Sequence, residues 1–361
     1  MAVCPFRKWG RLKFGPWLYD LMPDKIYRYW MMVPSGLEEV ALDELRERAP
    51  HSERIGIEPG GRFGQIFFTY KRSPRHLVPT CSAVHLAGLV REMHRVTVGR
   101  PGLEYICSQV ARIDLEAIKS LARSLAGDID TNSFTLSVTL QGRYRFGVSE
   151  LINRVSVVLR EKYALREGRG GQLLRFHLQV TGRRALLGLR LGAGGTPNEC
   201  MIYCQVRLLA IQDNASVLWS RKDPGELEVL ARHCKPDLLL GLLPRRGGGN
   251  RTSSSSSCKS LVANRGQLPL CAGYIDYAFT AAQGDLSAEL SELARILRFG
   301  GVAVIQVDHF DRIMAILGEI DAPLAVLANL TIEERGRSYQ LIILERLAEA
   351  DPELLEIGWD L

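Results

Sequence analysis

Arg143 and Arg145 flank Tyr144 where an alternating strand pattern gives way to a helix, and Arg183-Arg184 stand at the tip of a hairpin pattern. Guanidinium groups on turns reach phosphates well, because their planar fork matches phosphate oxygens. Residues 141–190 hold eleven Arg plus Lys against three Glu and no Asp, a net +8. The whole chain carries +6, so the remainder sums to −2. Charge gathered in one stretch is the electrostatic footprint of a phosphate-backbone binder; a solvated face scattered with arginines is the plainer alternative. Tyr144 has two uses, stacking on a base or packing against its own module, and packing is the default reading. Elsewhere the chain offers chemistry least where it is most expected. The strand in "GYIDYAFTAAQGDL", residues 273–286, ends in Ala281-Ala282-Gln283. In an open α/β sheet the carboxyl ends of strands are where ligands sit. Asp285 follows, but "DLSAELSEL" begins a helix there, and a helix N-cap is the expected role for that carboxylate.

Several elements must position these residues. After an N-terminal extension, 1–28, residues 29–33 read as a strand and 37–45 as a helix with apolar residues at helical spacing. "GGRFGQIFFTY" reads as a strand, and the pattern over 76–93 predicts a second amphipathic helix. This first α+β unit covers 29–112. A second, 113–192, holds "DLEAIKSLARSLAG" as a helix and "FTLSVTLQG" as a strand. "SELINRVSVVLREKYAL" follows as a helix capped by Ser149, and "LLRFHLQVTGRRALLGLRL" as a hairpin turning at Thr181-Gly182. A Gly-rich linker and a helix occupy 193–212. From 213 to 361, apolar strands alternate with amphipathic helices, which implies a mostly parallel, doubly wound sheet. "RRGGGNRTSSSSSCKS", 245–260, interrupts the rhythm as a low-complexity insert that cannot bury a core.

The chain of 361 residues is long enough for two or three domains, and no run of about 18 apolar residues suggests a membrane span. Its eight cysteines form no CxxC pair, so no zinc site is expected and the thiols fit a reducing compartment. The N-terminus lacks the apolar core of a secretory signal. An intracellular protein, cytoplasmic or nuclear, is expected, with a mitochondrial location as the alternative.

The ordered set of segments resembles the THUMP-domain RNA methyltransferases, most closely the eukaryotic branch that methylates guanine N2. "YWMMVPSGLEEVALDELRER" and "GRFGQIFFTY" look like the opening of the family's ferredoxin-like domain. "FTLSVTLQGRYRFGVSELINRVSVVLREKY" is similar to the THUMP core, and "VLW…PDLLLGL…LPLCAGYIDYAF…LSELARILRFGGVAVI" to the methyltransferase sheet. The likeness runs from residue 29 to the C-terminus. It implies a fold of ferredoxin-like and THUMP modules followed by a Rossmann-like class I methyltransferase domain, with S-adenosylmethionine as cofactor. It also implies structured RNA, of the tRNA or small nuclear RNA type, as partner rather than DNA, and a small zinc-containing activator subunit as a second partner.

Against that family the ligand-facing positions have changed. The family's first strand ends in an acidic residue and a Gly-rich turn; here Trp219 takes the acidic place and Gly225 alone matches a glycine. The second strand keeps Gly241 but offers Leu243 or Pro244 where a ribose-binding carboxylate belongs. Counting from Asp276, which has a counterpart within the family's fourth strand, Ala281 takes the place of the base-binding carboxylate. By the same count Gln283 replaces the proline and Gly284 the aromatic residue, with Ala282 between. Asp276 and Asp285 are the carboxylates left as catalytic candidates, and Gly225 and Gly241 the candidates for cofactor contact. The helix and Gly300-Gly301 turn of "LARILRFGGVAVIQV" are retained, and these are scaffold features. The expectation is an RNA-binding protein with a catalytically degenerate methyltransferase-like domain. The alternatives are an active RNA guanine-N2 methyltransferase with unusual cofactor contacts, and a wrongly joined coding sequence across 219–285.

Overall fold

The structure, a computed structural model, describes residues 27–348 except 62, 127, 171, 193, 221–223, 235, 244–257, 263–267, 283–284, 321 and 335–336. Its first half is one eight-stranded sheet. In chain order it comprises β1 (Arg28–Pro34), α1 (Glu38–Arg48), β2 (Glu53–Glu58), β3 (Phe63–Thr69), β4 (His85–His94), α2 (Arg100–Val110), α3 (Leu115–Leu125), β5 (Asp130–Gln141), α4 (Val148–Tyr163), β6 (Arg166–Glu167), β7 (Leu173–Thr181) and β8 (Arg184–Arg190). The strands lie in the order β2-β3-β1-β4-β8-β7-β5-β6. The two α+β stretches read from the sequence thus contribute four strands each to a single sheet, joined where β4 pairs antiparallel with β8.

Two expectations fail here. Residues 76–93 are not a helix: a short 3-10 turn, Pro74–His76, leads to β4. This strand sits between β1 and β8 and is buried on both faces over its first half. A two-sided apolar strand shows no alternation, so its periodicity cannot be told from that of a buried helix. Helix α4 is capped by Gly147, with no side-chain capping bond, and Ser149 lies one residue inside its first turn.

Helices α1–α4 pack on one face of this sheet through Ala41, Leu45, Ile106, Ile118, Val155 and Leu159. The opposite face curls on itself. Arg184 on β8 reaches Glu58 on β2 at 2.5 Å, although the two strands are four places apart in the sheet. A flat sheet would separate those strands by about 19 Å. The concave side is filled by Trp30, Met32, Phe67, Ala87, Leu89 and Leu186.

The second half begins with α5 (Pro197–Leu208), held by a capping box in which Thr196 and Glu199 satisfy each other's backbone N–H. It continues through β9 (Ser216–Ser220), α6 (Pro224–His233), β10 (Leu238–Leu243), β11 (Cys258–Val262), β12 (Ile275–Ala281), α7 (Leu286–Ile296), β13 (Leu297–Val307), α8 (Phe310–Glu319), β14 (Leu324–Glu334) and β15 (Arg337–Arg346). The sheet runs β11-β10-β9-β12-β13-β15-β14, parallel from β11 to β13, with β15 antiparallel to both neighbours. Helices α5 and α6 cover one face and α7 and α8 the other. Residues 258–260, assigned from composition to the low-complexity insert, are the start of β11 and pair with β10.

Candidate functional site

Strand order reverses between β9 and β12, the central pair of the parallel sheet. That reversal opens a crevice at the carboxyl ends, where doubly wound sheets take their ligands. Ser220 ends β9 directly opposite Thr280, and Ala281 ends β12, paired with Gln306 of β13. Trp219 is fully buried, with its ring 4.8 Å from that of Phe279. Its indole N–H donates to Glu226 Oε2 at 3.0 Å, and Glu226 Oε1 accepts from Asn198 Nδ2 at 3.0 Å. Among the described residues, the acid nearest in sequence after β9 is therefore bound through both oxygens. It also occupies the first turn of α6, the position where a helix would favour an anionic ligand.

On the α7 side of β9 and β12 the cavity lined by Ser220, Thr280, Glu289, Glu292 and Leu268 measures about 20 Å³. That holds a single water, against roughly 300–1,000 Å³ for a small-molecule pocket. Glu292 accepts from Leu268 N and from Arg295, and the Arg295 bonds hold its carboxyl below the usual range against the opposing effect of burial. Gly241 lies in mid-strand, where a Cβ would stand 2.5 Å from Leu227 Cδ1. Its bareness serves the close seat of α6 on β10. Gly225 begins α6. Asp276 is at the amino end of β12, far along the strand from the crevice; it accepts from Ser216 N at 2.6 Å and pairs with Arg298 Nε at 2.6 Å. Asp285 accepts from Ser287 N and Ala288 N and caps α7. Gln283 and Gly284 lie outside the described residues, as do Asp223 and Pro244. Among the described residues, the carboxyl ends of β9, β10 and β12 are Ser220, Leu243 and Ala281. None of the described helices could cross a membrane, and no group of three described His, Cys, Asp or Glu side chains could hold a metal.

The arginines form a second locus, at one end of the first sheet. Arg143, Arg145 and Arg183 are exposed. Tyr144 Oη donates to Gly182 O at 2.7 Å, and its ring packs 5.2 Å from Phe146. The strand-to-helix turn is thereby latched to the hairpin tip, and the tyrosine's ring and hydroxyl both serve that latch. Arg184 is placed differently: its guanidinium meets Glu58 and Glu92 and lies 4.6 Å over the Phe67 ring. Sequence spacing could not separate Arg183 from Arg184, because the pairing acids come from β2 and β4.

The strand order, the single antiparallel strand β15 and the helices on both faces define the α/β fold of class I methyltransferases. Comparison with solved structures agrees over nearly the whole chain. TrmN from Thermus thermophilus superposes with a TM-score of 0.61 at 17% identity, covering 89% of this chain and 99% of that one. SMU.472, solved in complex with SAH, gives 0.58 at 10% identity over 90% and 98%. A predicted N6-adenine-specific DNA methylase from Listeria monocytogenes gives 0.53 at 10% identity over 88% and 95%. No protein-family model and no curated protein matches the chain. At such identities the likeness is one of fold.

Proposed function

We propose that this chain is an RNA-binding protein of the THUMP methyltransferase kind, whose methyltransferase-like half does not transfer methyl groups. In this reading, residues 29–112 and 113–192 are the ferredoxin-like and THUMP modules, and the protein works inside the cell by holding a structured RNA. The observation that carries it is the contrast between the two loci. Arg143, Arg145 and Arg183 are exposed on loops latched by the Tyr144–Gly182 bond. The end of β12 offers Ala281 and Ala282, while Asp276 and Asp285 are both held in the scaffold. A-form RNA is recognised through backbone and shape, which exposed arginines on adjacent turns suit. The family resemblance adds a small zinc-containing activator subunit as a second partner, testable by co-purification.

Binding of a labelled RNA hairpin, followed by anisotropy over about 50 to 200 mM salt, tests the RNA reading. The triple substitution Arg143→Ala, Arg145→Ala, Arg183→Ala is expected to weaken binding and flatten its salt dependence by about one unit for each phosphate no longer neutralised. An unchanged slope removes this surface from the interface. A second reading, an active RNA guanine-N2 methyltransferase using S-adenosylmethionine, draws support from the SAH held by SMU.472 on the same fold. Methyl transfer from labelled S-adenosylmethionine to guanine in a structured RNA separates the two.

A further inference from the structure

The loop joining β4 to α2 carries no clustered charge in the sequence, and nothing in its composition marks it out. In the fold it lies against both arginine-bearing loops. Val96 N donates to Arg183 O at 2.9 Å, and Arg145 N donates to Val98 O at 2.7 Å. Three loops from opposite halves of the sheet are thus stitched into one surface, 94–100, 142–147 and 182–183. Arg95 is exposed at its edge and takes part in no ion pair or hydrogen bond among the described residues. Arg100 is also exposed, with a long 3.5 Å contact to exposed Glu104 as its ion pair. Val98, 55% exposed, lies among them.

Arg95 also has an unusual backbone. Its φ is +65°, in the left-handed region that a side chain enters at a cost and glycine enters freely. A turn needing only that geometry is better served by glycine. An arginine there points to a use for the side chain that offsets the strain. The starts of α2 and α4 open beside the same loops, with Gly99 and Gly147 as N-caps and no side-chain cap on either. Their partial positive charge adds to that of the arginines.

We infer that Arg95 is a phosphate-binding residue of the RNA surface, so that the first α+β unit contributes to it directly beside Arg143, Arg145 and Arg183. The inference rests on the RNA-binding reading and extends it to a loop that sequence charge does not mark.

Arg95→Gly tests it with two readouts that a structural role and a binding role move in opposite ways. The glycine relieves the left-handed backbone, so thermal stability is expected to hold or rise. Affinity for the labelled RNA hairpin is expected to fall several-fold, with the salt slope reduced by about one. Arg95→Lys should restore most of the slope. Unchanged affinity and slope in Arg95→Gly, with wild-type binding intact and steep, overturns the inference and leaves the wider RNA reading standing. Absence of salt-dependent RNA binding by the wild type overturns both. Equal binding of the wild type to polyglutamate would assign the surface to acidic protein instead and overturn the inference also.

Discussion

Glu44 is fully buried, yet its carboxylate is among the best-held groups in the molecule. It accepts from Cys81 N, Ser82 N, Ser82 Oγ, Tyr203 Oη and Arg48 Nε at 2.6–3.0 Å. Burial pushes this carboxyl up, but the hydrogen bonds from Ser82, Cys81 and Arg48 outweigh it and leave it below the usual carboxylate range. Tyr203 belongs to α5, so this one side chain ties α1 of the first half to the second. Glu44→Ala strands those donors and is expected to cost about 3–5 kcal/mol in urea denaturation; a loss under about 1 kcal/mol would show that the site collapses around the gap. Tyr144 makes a sharper functional test. If its role is the latch to Gly182, Tyr144→Phe should weaken RNA binding while leaving the salt slope intact, because every arginine remains. If it stacks on a base, the phenylalanine ring should bind as well as wild type.

At the scale of elements, the turn between β1 and α1 reaches into the second half. Ser35 forms an antiparallel bridge to Glu333 of β14, and Leu37 joins Ile332 in the core beneath α5 and α6. Gly36 makes this approach available: its φ is +87°, and a Cβ would stand 2.1 Å from Thr331 O. Gly36→Ala is therefore expected to strain the turn and push β14 away, with faster hydrogen exchange at 35–38 and 331–333 as the local signature. Exchange rates matching wild type there would mean that the junction tolerates the shift. Much of this level was legible beforehand. The strands and helices of the second half other than β11 follow from apolar strands alternating with amphipathic helices, and α1, α3 and β5 from their periods. Strand β4 was not, because both of its faces are covered and its apolar residues follow no period of two. The curl of the first sheet was equally hidden, since it is expressed in contacts such as Arg184–Glu58 that join residues 126 apart. For the same reason, sequence spacing could not show that Arg184 pairs with Glu58 and Glu92 or that exposed Arg95 lies beside the Arg183 loop: exposure and pairing are decided by which strands become neighbours.

The whole molecule carries its acid sensitivity inside that curl. His85 and His177 meet with ring centroids 3.9 Å apart, beside Trp30. Burial, aided by Arg190, brings His177 down to about 4, and burial with His177 and Arg190 nearby holds His85 well below its ordinary value. Both fold as neutral rings, so the unfolded chain binds more protons between the two pKa values. Stability is therefore full above about pH 6.5 and is lost as pH falls toward 4, by on the order of 3 kcal/mol for His177 alone. The lowered Glu44 carboxyl acts in the same direction at the acid end. Urea midpoints measured from pH 7.5 to 4.5 should fall steadily, and His177→Gln should flatten the dependence; a midpoint level across that range would contradict the assignment.

The proposed function rests on one contrast at this scale. A sheet of methyltransferase fold ends in Ser220 on β9 and Ala281 on β12, while Arg143, Arg145 and Arg183 on the loops of the other sheet are exposed. Titration calorimetry of the full chain with S-adenosylmethionine, alone and with a structured RNA present, tests this most directly. A degenerate methyltransferase half predicts RNA binding with no cofactor heat even at millimolar S-adenosylmethionine. Saturable cofactor binding in the micromolar range would contradict it.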